Sequence, residues 1–395
     1  MANDDLDRTT LRPGITMAKQ RVLLALVGEQ PMPIIIPVFQ RPPDKLVLLC
    51  TPQTARMVGR IRRALSLADA TREVQVAKHQ TAFSPYDPEQ VEKECLAAIE
   101  DCGDCEISIN ITGGTKVMSA AAVLCAHSIG AEAVYVVTDG AGTLVKWRKD
   151  SVTHEPVDVR IPIDVRFASH GLQAVPGNPW EESYIEASRL LADLTSTHPH
   201  QRLTQSVART RIACDTREVC LWRPSAAEKT AAWRLADMGF WHATLGSDSA
   251  LRIGLFDDPV CRDFVCGKWL EAYAYQACSG SGAPFDQCWP NVVISSKDGL
   301  VVNELDMVVC KNEEMAVCSC KTGGRVAKDE AREAIYELDS VAGAMRAGRY
   351  CRKVLISSRF GLPDSAFGRA RESGITVITG QDLPRLADMI AKAMT

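Results

Sequence analysis

The sequence predicts an α/β chain: a parallel, doubly wound first domain and a second α/β domain, joined by a connector with a small helical region. Three observations carry that expectation. Over residues 20–150, short β-branched runs alternate with amphipathic stretches of helical length, the pattern of a doubly wound sheet. A second strand-rich series begins after residue 265, and between the two the pattern loosens. A chain of 395 residues has length for two or three cores. The expected boundaries are 1–150, 151–260 and 261–395.

Residues 1–19 are polar and read as a loose N-terminus. Val22 to Val27 is uninterruptedly apolar, as a strand buried on both faces must be. It ends in Gly28-Glu29-Gln30. Pro31 and Pro33 suit the first turn of a helix, and Pro37 is expected to break it. Leu46–Cys50, Glu73–Val76, Ile107–Ile111 and Ala133–Val137 are further strands, with Thr143–Lys149 an edge hairpin strand. Helices are expected after Thr51, over Asp87–Ile99 and over Val117–Ile129.

The strand at Ile107 runs through Asn110 into Thr112-Gly113-Gly114-Thr115-Lys116, and a helix follows at once. Backbone N–H groups at such a helix start face outward, and glycine lets an anion approach them. Lys116 adds a charge; Thr112 and Thr115 add hydroxyls. A phosphate site and a plain strand-to-helix turn both fit the pattern. G-x-x-x-x-G-K-[ST] and G-x-G-x-x-G are absent, so neither a nucleotide triphosphate nor a dinucleotide cofactor is expected.

Val157–Phe167 alternates around Pro162 and reads as an edge strand. Trp180–Leu194 and Ser225–Met238 read as helices, the latter closed by Gly239. His198-Pro199-His200 is a loop that makes no metal site by itself. No basic recognition helix stands out, which argues against a transcription factor.

Gly267–Tyr275 is a helix with Glu271 at the edge of its buried face. Val301–Val309 and Met315–Lys321 form a hairpin. By period-two alternation Glu304 and Asp306 share one face, and so do Ser319 and Lys321. Carboxylates beside a lysine suit phosphodiester cleavage, with a hard divalent cation on the carboxylates and lysine against the developing charge. The helix Ala327–Arg346, the strands Lys353–Ser357 and Ile375–Thr379, and the helix Asp382–Met394 close the chain.

Net charge is −4, so any nucleic-acid contact must be local. Fifteen cysteines without a signal peptide argue for reduced thiols in the cytoplasm. Cys102-x-x-Cys105 lacks a second pair at zinc spacing. No apolar run is long enough to span a membrane.

Asn110-Ile-Thr-Gly-Gly-Thr-Lys-Val-Met118 resembles the signature of CARF domains, the cyclic oligoadenylate sensors of type III CRISPR defence. The resemblance implies a Rossmann-like sensor that binds its messenger across a homodimer two-fold. It assigns the messenger to Gly28, Glu29, Gln30, Asn110, Thr112, Gly113, Gly114, Thr115, Lys116 and Met118. Asn303-Glu-Leu-Asp306 with Cys320-Lys321-Thr322 resembles the PD-(D/E)XK restriction-endonuclease-like core of the nucleases fused to CARF domains. That maps the metal-binding aspartate to Asp306, the lysine to Lys321 and the first-helix glutamate to Glu271. Ser319 stands where this family usually has glutamate.

Three readings of Ser319 stay open. Glu304, or an acid from the helix Ala327–Arg346, replaces the missing carboxylate. Alternatively, metal is held by Glu271, Asp306 and a backbone carbonyl near Cys320. Or the site is inactive and the chain is a sensor or adaptor. The expectation is a cytoplasmic, homodimeric nuclease, activated by cyclic tetra-adenylate and dependent on Mn²⁺ or Mg²⁺, that cleaves DNA and/or RNA. The alternative to it, beside the sensor, is a ring nuclease that degrades the cyclic activator.

Overall fold

Two large sheets organise the chain. The computed structural model describes residues 19–394 apart from 69–72, 77–82, 101, 138–141, 198–200, 211–216, 297–298, 300–301, 324–327 and 344–349. The N-terminal tail and the His198–His200 loop thus lie outside the described residues.

The first domain runs β1 (Gln20–Leu26), α1 (Met32–Gln40), β2 (Lys45–Leu49), α2 (Ala55–Ala68), β3 (Glu73–Val76), α3 (Pro88–Glu100), β4 (Cys105–Asn110), α4 (Lys116–Ser128), β5 (Glu132–Val136), β6 (Thr143–Arg148) and β7 (Ser151–Pro156). Its sheet order is β3-β2-β1-β4-β5-β6-β7. The first five of these strands are parallel, and β6 and β7 close the edge as an antiparallel hairpin. Leu23, Ala25 and Val27 pack toward α1 and α2, while Val22, Leu24 and Leu26 pack toward α3 and α4. This two-sided burial is why the strand reads as an unbroken apolar run. Helix α1 continues through Pro37 to Gln40, so the expected break does not occur.

The expected edge strand at Val157–Phe167 is instead an irregular stretch followed by α5 (Ile163–Ser169). Pro162 precedes this helix as its N-cap, and its fixed φ suits a helix entrance better than a ladder. Val165 and Ala168 join the first domain's core, whereas Ile163 and Phe167 join the core of the C-terminal sheet. Arg166, 2% exposed, donates to the carbonyls of Ile161 at 3.0 Å, of Asn312 at 2.5 Å and of Glu313. Asn312 and Glu313 form a turn of the C-terminal sheet. One short helix therefore fastens both domains.

β8 (Leu172–Val175) leads to a middle unit of α6 (Glu182–Ser196), α7 (Arg202–Arg209), β9 (Glu218–Leu221), α8 (Ala226–Asp237), β10 (Trp241–Leu245) and β11 (Leu251–Leu255). Helices α6 and α8 were legible; α7 and the three-stranded antiparallel sheet β10-β11-β9 were not. Ser225 and Glu228 form a capping box that starts α8.

The C-terminal part runs α9 (Pro259–Asp263), a π-helical turn over Phe264–Lys268, α10 (Trp269–Ser279), β12 (Gln287–Ser296), β13 (Val302–Lys311), β14 (Glu314–Lys321), α11 (Lys328–Ala342), β15 (Cys351–Ser357), α12 (Asp364–Glu372), β16 (Ile375–Ile378), a 3₁₀ turn over Gly380–Arg385 and α13 (Leu386–Ala393). Its sheet order is β16-β15-β14-β13-β12-β8. One face packs under α6, α10 and α13, the other under α5, α11 and α12. The edge strand β8 comes from before the middle unit and pairs with β12 over Val175↔Val293 to Leu172↔Ser296.

Candidate functional sites

The glycine-rich loop lies where the sheet's own order puts it. β1 and β4 are neighbours, so Gly28-Glu29-Gln30 and the 111–115 loop meet at the carboxyl ends of the strands, where open α/β sheets bind ligands. A Cβ on Gly113 would overlap Leu26 O and lie 2.9 Å from Gly28 N. Gly114 has φ +77°. The two chain segments touch backbone to backbone, and only glycine permits that contact.

The polar residues of the loop are largely committed to holding it. Asn110 is fully buried; its amide donates to Pro33 O at 2.7 Å. Its carbonyl oxygen accepts from Thr112 N at 3.0 Å and from Thr112 Oγ1 at 2.8 Å. Thr112 Oγ1 in turn accepts from Val136 N at 2.9 Å. Thr115 caps α4, accepting from Met118 N at 3.1 Å and donating to Pro85 O at 2.7 Å. Met118 is fully buried in the core. Of the ten residues expected at the messenger, Glu29, Gly114 and Lys116 are exposed. Gln30 Oε1 is buried without a hydrogen-bond partner, an unmet acceptor at the loop. The α4 N-terminus supplies outward N–H groups and positive partial charge.

The second site is on the β13–β14 hairpin. Asp306 Oδ2 accepts from Cys320 N at 2.6 Å and from Ser319 Oγ at 3.3 Å. Burial pushes the Asp306 carboxyl up, and the Cys320 N–H and the Lys321 charge draw it back. Lys321 Nζ lies 3.1 Å from Glu337 Oε2 on α11. Cys318 and Cys320 face the core beneath α10, whereas Met315 and Val317 face α11. Ser319 and Lys321 alternate with these cysteines and so lie on the α11 side. Burial drives the Cys320 thiol well above its usual value. It stays a neutral thiol in the core, and only its backbone is presented at the site.

Glu271 is partly buried in α10, and its charge acts on Cys320. The π-helical turn before it leaves the Cys266 carbonyl to accept from Thr322 Oγ1 at 3.2 Å. This bond joins the entrance of α10 to the end of β14, the kind of local register change that π-turns supply at functional sites. Glu304 is exposed opposite Val293. Leu305 packs on the α11 side, but Met307 packs beneath α10. The alternation is therefore interrupted at Asp306, beside Asn291 with φ +46° on the neighbouring strand. Counting by twos from Glu304 to Asp306 does not carry through that break.

Hard oxygen donors at Asp306 and Glu271 fit a divalent cation in kind. Among the described residues, no three His, Cys, Asp or Glu side chains converge as a cage. Mg²⁺-type sites commonly use one or two carboxylates with waters and substrate phosphate, so the donor set remains suitable for such an ion.

A family model described as the Card1 CARF domain matches residues 22–164, and one described as the Card1-like endonuclease domain matches residues 258–395. Can2 from Sulfobacillus thermosulfidooxidans, solved in complex with cyclic tetra-adenylate, is similar with a TM-score of 0.74 and 22% identity over 94% of this chain and 97% of its own. Protein VC1899 from Vibrio cholerae has a TM-score of 0.74 and 17% identity over 95% of this chain and 98% of its own. A type III CRISPR defence DNA nuclease activated by cyclic oligoadenylate has a TM-score of 0.51 and 16% identity over 87% of this chain and 47% of its own. A comparison with curated proteins found no match. At these identities the structural likeness is one of fold.

Proposed function

Because the chain belongs to the CARF-domain nucleases of type III CRISPR systems, with a Card1 CARF domain joined to a Card1-like endonuclease domain, we propose that it is a cyclic oligoadenylate-activated, metal-dependent endonuclease. Cyclic tetra-adenylate is the activator favoured, from the ligand in the similar Can2 complex. The substrate is DNA and/or RNA, cut without sequence preference. The enzyme works in the cytoplasm as a homodimer whose two-fold matches a cyclic messenger. Among the described residues no helix is long and apolar enough to cross a membrane.

The observation that carries the nuclease reading is Asp306 held by Cys320 N beside Lys321, inside the matched endonuclease domain. Bound Mn²⁺ or Mg²⁺ would supply Lewis-acid polarisation and a more acidic water. Asp306, Glu271 and the backbone at Cys320 are the groups that would hold it. The Cys320 N–H fixes the Asp306 carboxylate, so that group is oriented before any ligand arrives. Lys321 brings a positive charge to the side where a phosphoryl group gathers negative charge. In the sensor, the α4 N-terminus, Lys116 and Gln30 offer donors and an acceptor suited to phosphate and base edges.

Ser319 favours a second reading, a sensor without cleavage. The deciding experiment incubates plasmid or labelled single-stranded RNA with the protein, Mn²⁺ or Mg²⁺, and cyclic tetra-adenylate, omitting each in turn. Cleavage that needs both metal and activator supports the enzyme. Tight activator binding with no cleavage supports the sensor. Loss of the activator itself, in EDTA, supports ring-nuclease activity.

A further inference from the structure

Resting on the nuclease reading, we infer that Glu337 is the second acidic arm of the site, supplying from α11 the carboxylate that Ser319 cannot supply from β14. Helix α11 connects the parallel strands β14 and β15, so it runs back along the face that carries Ser319 and Lys321. A glutamate at 319 would extend toward this helix. Ser319 is too short to do so, and its hydroxyl is engaged with Asp306 Oδ2. From the opposite side Glu337 Oε2 reaches Lys321 Nζ at 3.1 Å, and its charge also acts on Asp306. Glu337 of α11 thus pairs with Lys321 of β14, and the charges of both act on Asp306 of β13, whereas the usual pattern draws the two acids and the lysine from two strands.

Stability does not account for the pair. Its side chains are 43% and 65% exposed, and ion pairs that open to water add little to a fold. Nearby, Lys353 pairs with Asp339 and also bonds Ser373 O. That more enclosed pair ties α11 to β15, and Glu337 is not needed for the task. Glu337 takes Lys321 on Oε2, and its largely exposed carboxylate is a hard oxygen donor suited to a divalent cation or the waters around it.

The test is Mn²⁺ binding to the full chain, read by calorimetry and by electron paramagnetic resonance rather than by cleavage. Glu337→Gln is expected to weaken Mn²⁺ about tenfold. Glu333→Gln, one turn away on the same exposed face, is expected to change nothing. Adding Ser319→Glu to Glu337→Gln is expected to restore binding, because the strand then provides the acid. Circular dichroism should show every variant folded, as Glu333 and Glu337 are exposed and asparagine at 306 keeps an oxygen acceptor for Cys320 N. Unchanged Mn²⁺ binding in Glu337→Gln, with binding lost in Asp306→Asn, would overturn the role of Glu337 and leave the nuclease reading intact. Unchanged binding in Asp306→Asn as well would remove both.

Discussion

The backbone N–H of Cys320 donates to Asp306 Oδ2 at 2.6 Å, just past Met307↔Cys318, the last of the β13–β14 partners. The carboxylate thereby extends the strand pairing and is held in place by it. Asp306→Asn keeps an oxygen acceptor for that amide, so the fold should persist with a nearly unchanged melting temperature. Activated cleavage should fall roughly 100-fold or more if Asp306 holds the metal as proposed. A cleavage time course beside a thermal melt checks both, and wild-type cleavage by this variant would take Asp306 out of the mechanism.

Lys116 is exposed at the first position of α4. Lys116→Ala should leave stability alone and weaken cyclic tetra-adenylate by about tenfold, the scale of one hydrogen bond to a charged group. Gly113→Ala should do more, because its Cβ meets the Leu26 carbonyl and the loop must shift. Titration calorimetry on both variants ranks them. An unaltered dissociation constant for Gly113→Ala would show that the messenger binds elsewhere.

Arg166 serves three backbone carbonyls from a buried position. Arg166→Met keeps the volume but leaves those acceptors without their donor. Urea unfolding should show a loss of about 3 kcal/mol. A change within the error of the measurement would mean that water replaces the guanidinium.

His170 is buried at the C-terminal end of α5, and its imidazole is held down at about 4, first by burial and then by the charge of Arg60. The unfolded chain takes up this proton near pH 6.5, the folded chain only near 4. Between those values the unfolded state binds more protons, so stability falls as pH falls across that window. The loss from this one group is at most about 3 kcal/mol. His170→Gln should flatten the acid limb of a stability–pH curve measured by denaturant melts. An identical slope in the variant would assign that limb to other groups.

The glycine loop, Asp306 and Lys321 were legible because each lies in a short stretch with its own chemistry, the last two on the paired strands of one hairpin. What the side chains of the loop do was not legible. Asn110, Thr112 and Thr115 are the residue types that bind a ligand or brace a turn equally well, and here they brace. Strand β12 escaped notice because Pro290 interrupts it, and proline argues against a central strand. Helix α5 was misread because Val157 to Phe167 alternates by twos up to a proline that in fact begins a helix. The helix carrying Glu337 was among the expected sources of a replacing acid, but which of its acids reaches Lys321 was not legible. Glu337 is one acid among several on a polar helix face, and its partner Lys321 is 16 positions away in sequence.

Strand β8 sets a limit on how this protein can be divided. The matched endonuclease domain begins at 258, yet the outermost strand of its sheet is Leu172–Val175. The middle unit is thus spliced between the first strand of a sheet and the remainder of it. A fragment expressed from residue 258 would bare the β12 ladder over Val293–Ser296, offering unpaired backbone to its own copies. Such a fragment should aggregate, and one begun ahead of Ile163 should not.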